Sequence, residues 1–250
     1  MTDINLVNSH GWYFGPLIGF LHPFFTINIH TIIHTWIIIA LIFFISIIIR
    51  IFAQKTNTSL IKTVVLDAGS SLSRMLEQSI GICIPEHFYF IGSLFIFISF
   101  CNLAPLIPGL EEPTQDINTT FALGLVSFFY IQYAAVKRFG FLHYIKTEFL
   151  TPLFLLPLHI IGKIASILSI SLRLFGNIFG GSIISKIYFS AVQYSLFSNP
   201  IFILMQLMLT GTMTIVITMF FTVIEGLLQA FVFTMLTVTY LAIAIRDDSN

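Results

Sequence analysis

KIASILSISLRLFGNIFGGSIISK runs from Lys163 to Lys186 and holds one charge between its terminal lysines, Arg173. Nine uncharged residues precede that arginine and twelve follow it. As a helix rising ~1.5 Å per residue, the stretch sets the lysines roughly 15 and 20 Å from the arginine. A bilayer core is about 30 Å thick. The lysines therefore reach the two surfaces and leave Arg173 near the middle. A central arginine costs about 2.5–3.5 kcal/mol on insertion scales. A guanidinium does not shed its proton to escape that cost. Either a negative partner meets it inside the membrane, or it is a structural arginine bonded to helix-end carbonyls. Mid-membrane arginines commonly mark ion paths.

The composition agrees with a membrane setting. Of 250 residues, 57% are hydrophobic and 9% are charged, against about 25% charged in an ordinary soluble domain. The mean hydropathy is +0.97. The apolar runs are long and continuous, not alternating as in a membrane β-barrel. The chain reads as an all-α membrane protein with about five transmembrane helices, the last two long and tilted, plus an amphipathic interfacial helix. A formal net charge of zero gives no reason to expect a nucleic-acid partner. Cys83 and Cys101 are too few for a disulfide framework or a metal site. No basic region precedes a short apolar run, so no cleaved signal peptide is expected.

In order, the chain reads as one membrane domain. Residues 1–29 form an outer arm with interfacial aromatics such as Trp12 and Tyr13. Residues 30–50 are the first span, with His30 and His34 on one helical face. No third ligand is evident for a metal. Arg50, Lys55 and Lys62 place the far end of this span inside. In residues 59–79, Ile61, Val64, Val65, Leu72, Met75 and Leu76 recur at helical spacing among charges. This is the amphipathic helix, lying on the membrane surface or on a partner. Residues 88–103 are the second span. The acidic stretch NLAPLIPGLEEPTQDINTT, Asn102 to Thr120, then forms an outer loop, with Asp116 and Asn118 suited to cap the next helix. Residues 119–136 are the third span, closed on the inside by Lys137 and Arg138. The connection 139–150 precedes a long fourth span over 151–189. A longer fifth span follows over 200–245, with Glu225 its only charge. It must break, near Gly211, or lie strongly tilted.

Polar residues inside the last two spans fall on matching faces. Ser169, Arg173 and Asn177 are spaced by four and form one stripe. Gly176 and Gly180 have the small-xxx-small spacing that admits a close neighbour. Thr222, Glu225 and Gln229 fall at i, i+3 and i+7. Glu225 either pairs with Arg173 as a structural ion pair or relays protons. Gln229 can hold a guanidinium or order a water.

SLRLFGN at Ser171 to Asn177, with LLQAFVFTMLTVTYLAIA at Leu227 to Ala244, resembles subunit a of the rotary F-type ATP synthase. HTW at His34 to Trp36, NLAPLIPG at Asn102 to Gly109 and PTQDINTT at Pro113 to Thr120 extend the resemblance in the family's order. It implies a stator beside a rotating ring of hairpin subunits, each with a membrane carboxylate reached by two offset aqueous half-channels. Arg173 matches the family's essential arginine, Asn177 the polar residue one turn on, and Gln229 the glutamine facing the arginine. The chain departs from the pattern where many members carry ionisable groups: Ser182 and Thr222 are hydroxyls, and His159 stands where an acid is common. Glu225 is therefore expected to take the outer-channel role.

The partners so implied are c-ring subunits, the peripheral stalk subunit b, the F1 sector through the assembled complex, and membrane lipids. No cofactor or metal is implied. Nucleotide chemistry falls to other subunits, and no phosphate-binding glycine loop is visible here. The bacterial-like motifs suggest a bacterial inner (plasma) membrane, with a mitochondrial inner membrane as the alternative. A secondary transporter binding an anionic substrate at Arg173 is the competing reading. Such folds often show internal repeats, and none is visible here.

Overall fold

The computed structural model describes residues 13–14, 27–55, 60–81, 84–107, 109–140, 156–198 and 203–245. Five of its helices are long and apolar enough to cross a membrane, and the protein is an all-α membrane protein. Most of the outer arm and the connection 141–155 lie outside the described residues. From the arm, β1 (Tyr13–Phe14) pairs antiparallel with β2 (Ile27–Asn28), just before the first helix.

Helix α1 spans Ile29–Lys55. Among its described side chains only Ile38 is buried, in a small cluster with Cys101 and Ala104. Trp36, Phe43, Phe44 and Ile48 are exposed, as suits a helix whose solvent is lipid. Helix α2 covers Leu60–Ile80. Its fully buried Leu76 packs with Ile91 and Val238, so this amphipathic helix lies on the chain's own bundle. Arg74 and Glu77 stay exposed, the solvated face its pattern implies.

Helix α3 (Pro85–Leu103) starts with proline at its first position, where no backbone N–H is missed. Helix α4 spans Ile117–Phe139, and Asp116 caps it by accepting from the Asn118 N–H at 3.0 Å. At the basic end, Lys137 pairs with Glu86 at 2.6 Å. Nearby, His87 Nδ1 and Tyr130 Oη are hydrogen-bonded at 2.7 Å. Both contacts tie α3 to α4.

Helix α5 runs over Leu156–Ser198 without interruption. The last helix comprises α6 (Ile203–Met219), a π segment (Phe220–Glu225) and α7 (Gly226–Ile245). The expected break near Gly211 does not occur. Helical backbone passes through Gly211, and the irregularity lies nine or more residues later. There one side of the π segment meets neighbouring elements: Thr222 is buried, Phe221 packs on Gly181, and Asn102 reaches Gly226 just after it. Irregular backbone is tolerated at membrane depth when protein covers it. The apolar lengths, 32 residues in α5 and 36 from α6 into α7, exceed the ~20 a perpendicular crossing needs, so both long helices cross obliquely.

The core lies where α3, α5 and α7 meet. Leu94, Ile98, Ile170, Leu174, Ala230 and Phe233 form its main cluster. Ile131 and Ala134 of α4 join Leu241 and Ile245 of α7 in a second. Helices α4 and α5 approach closely at Gly124, where an added Cβ would fall 2.1 Å from Ser171 Oγ.

Candidate functional site

Helix α5 has two unlike faces. Ile170, Ser171, Leu174 and Gly181 are buried against the bundle. Leu168, Ser169, Leu172, Arg173, Gly176 and Phe179 are exposed. The Arg173 guanidinium thus stands on the outward face, among apolar neighbours. Among the described residues it has no hydrogen-bond or ion-pair partner. The structural pairing with Glu225 considered from the sequence is absent, and the helix-end carbonyl alternative is not seen either. Around it the surface is smooth. An added Cβ at Gly176 or Gly180 would meet nothing within 4 Å. The small-residue spacing therefore faces outward and leaves space for a helix from elsewhere. Gly181, one residue on, is filled by Phe221 of the π segment at 3.0 Å from its notional Cβ.

Beyond Arg173 toward the C-terminal half of α5 lies a cavity of about 240 Å³. The π segment contributes Thr222 and Glu225, and α5 contributes Asn177, Ser182 and Lys186. The loop after α3 contributes Glu112 and Gln115. Thr222 is buried, while Glu225 and Ser182 are half-buried. Ser182 Oγ donates to the Phe179 carbonyl at 2.9 Å. The pocket joins the acidic-loop end of the molecule to the middle of α5. Asn177, one turn or ~6 Å beyond Arg173, lines its inner limit.

Asn177 also connects the two long helices. Its Nδ2 donates to Gln229 Oε1 over 3.5 Å, a long contact at the limit of a hydrogen bond. Gln229 is buried, and among the described residues its Nε2 has no partner. A buried amide N–H in that state is commonly met by water or by a group from outside the chain. Gln229 therefore touches Asn177, and among the described residues it makes no hydrogen bond to Arg173. Ser169 is exposed beside Arg173, one turn toward the Lys163 end. His159 lies in the first turn of α5, and its side chain lies outside the described residues.

The loop holds what sequence reading missed. From sequence it reads only as an acidic outer loop; in the structure Pro113 and Thr114 are buried. Thr114 Oγ1 donates to Asn102 Oδ1 at 3.0 Å, and Asn102 Nδ2 donates to the Gly226 carbonyl at 2.8 Å. Burial pushes the Glu112 carboxyl up to about 7, opposed in part by the hydrogen bond from Gln115. The only hint in the sequence is that polar Asn102 ends an apolar helix. Among the described residues no three His, Cys, Asp or Glu side chains group to hold a metal.

Residues 32–242 match the family model described as ATP synthase A chain. The ATP synthase subunit a of Moorella thermoacetica is 36% identical over 168 residues, covering 67% of this chain and 69% of that protein. That of Nitratidesulfovibrio vulgaris is 33% identical over 221 residues, 86% of each chain. The ATP synthase subunit a 2 of Acaryochloris marina is 29% identical over 225 residues, 88% of this chain and 87% of its own. With the family model spanning most of the sequence and two of these relatives aligned over 86% or more of both chains, the chain belongs to the ATP synthase subunit a family.

Proposed function

We propose that this membrane-sector subunit is the stator of a proton-translocating F-type ATP synthase and that Arg173 is its essential charge. The observation that carries the reading is the unpartnered Arg173 on an exposed apolar face of α5. A cation on such a face is tolerated beside an anion or water and is costly against lipid. A ring of c subunits, each with a membrane carboxylate, supplies that anion repeatedly.

The physics is electrostatic. A protonated ring carboxyl is neutral and passes lipid. Opposite Arg173 its anion is stabilised, its pKa falls and the proton leaves. The fixed charge also keeps protons from crossing directly between the two paths. One path is the cavity of Glu225, Thr222, Ser182 and Asn177, opening at the acidic-loop end. Glu225 is the protonatable group there, and Gln229 and Asn177 order the inner end. The other path starts at the opposite end of α5, where His159 and Ser169 lie. A membrane potential supplies about 2.3 kcal/mol per charge per 100 mV, which ring rotation delivers to the F1 sector. Nucleotide binding belongs to that sector, and the stalk subunit b holds the stator in place. Five apolar helices and bacterial relatives favour a bacterial plasma membrane as its setting.

The test is Arg173→Ala in the assembled complex. ATP-driven proton pumping and ATP synthesis should both be abolished. Retained coupling would refute the assignment.

A further inference from the structure

Two carboxylates line the cavity, and the scheme above uses one of them. Glu225 belongs to the π segment; Glu112 belongs to the loop between α3 and α4. The turn that follows Glu112 packs against α1, α3, α4 and α5, so the loop is part of the bundle. Gln115 Nε2 donates to Glu112 Oε2 at 3.3 Å. Thr114 is held by Asn102, and Asn102 by the carbonyl of Gly226, the residue after Glu225. Two hydrogen bonds thus tie the segment bearing Glu112 to the backbone that follows Glu225.

Resting on the proton-path reading, we infer that Glu112 is the outer relay carboxyl, exchanging protons between outside water and Glu225 through cavity water. In each transfer an O–H bond of the Glu112 acid breaks as a water takes the proton, and that water yields a proton to the Glu225 carboxylate. Glu112, left as an anion, regains a proton from the outside, and nothing is oxidised or reduced. A freely solvated glutamate is almost wholly ionised at neutral pH and has little proton to give. Burial holds Glu112 near 7, where acid and base forms coexist. The other ionisable groups at this end are Lys186 of α5 and Glu225 across the cavity. Glu111 and Asp116 lie on the loop itself, His30 and His34 in the first turns of α1. Helix α3 brings Asn102 and the buried Cys101.

The experiment uses membrane vesicles carrying the assembled complex, with proton conduction normalised to subunit content between about pH 5 and 9. Wild-type conduction should inflect near neutrality, and a profile without that inflection overturns the inference with no variant needed. Glu112→Gln, which keeps the shape, should lower conduction several-fold and remove the inflection. Glu112→Asp should restore both in large part. Glu111→Gln, at the exposed neighbouring position, should leave rate and profile unchanged. A Glu112→Gln complex with the wild-type rate and profile, or an equal loss in Glu111→Gln, overturns the role. Arg173→Ala measured in parallel separates the two levels. If it still couples, the whole proton-path reading fails; if it is dead while Glu112→Gln is normal, only the Glu112 relay fails.

Discussion

Arg173 is the residue whose chemistry least tolerates its surroundings, and for that reason it was legible from sequence. A guanidinium with nine and twelve uncharged neighbours has few places to go. Glu225 was legible for the same reason, but its setting was not. Its half-buried place in a cavity, unpaired with Arg173, depends on the π segment and on a loop folded over it. As the only carboxylate of the last helix, it is the sole acid that span can lend to proton transfer. Glu225→Gln should therefore cut ATP-driven pumping by about 10²-fold or more, the order expected for removing a proton-transferring group. Near-normal pumping, measured by quenching of a pH-sensitive dye in vesicles, would remove Glu225 from the path.

Glu112 was legible in the sequence only as one acid of an outer loop, and its place lining the cavity was not. Its raised pKa also has a stability consequence. An acid raised by burial contributes fully while protonated, below its ordinary value of 4.5. The contribution falls as pH rises and is gone once pH passes the folded value of about 7. The thermal midpoint of the purified complex should accordingly drop across that window. Glu112→Gln should flatten this part of the curve, as followed by a thiol-reactive or tryptophan signal on heating.

At the scale of elements, the spans were visible because apolar length alone marks a membrane helix. The amphipathic pattern of α2 was visible too, although its partner was not: periodicity reveals a face, not what the face meets. The π segment left no signal. Gly211 looked like the break, yet a glycine inside a membrane helix is common, and the irregular turn formed where Phe221 and Gly226 meet α5 and α3. Contacts between distant helices decided it. The closeness of α4 and α5 is similarly a matter of two small residues, Gly124 and Ser171. Gly124→Ala should destabilise the subunit by about 1–3 kcal/mol through overpacking. Ser171→Ala in the same background should recover much of that loss, since it removes the atom struck. Ser171 Oγ is itself buried without a partner, so Ser171→Ala alone should be nearly neutral. Urea or thermal unfolding of the wild type and the three variants in detergent reads the cycle.

At the scale of the whole molecule, the charges divide between two ends. Arg50, Lys137 and Arg138 close one end of the spans, while Glu111, Glu112 and Asp116 occupy the loop at the other. Between them the bundle buries one face of α5 in its core and leaves the other bare, with Arg173 in the bare face. Family membership follows from the sequence match. The role proposed for that face rests on the cost of leaving a cation against lipid.

Neighbouring residues on α5 give the most direct test, because Leu172 points outward and Ser171 inward. Cysteine would be placed at each in turn, opposite a cysteine beside the carboxylate of the c-ring, in the assembled complex under oxidising conditions. The account predicts a disulfide product between stator and ring for Leu172→Cys and none for Ser171→Cys. Linkage through Ser171→Cys with none through Leu172→Cys, in a complex that still couples, would contradict it.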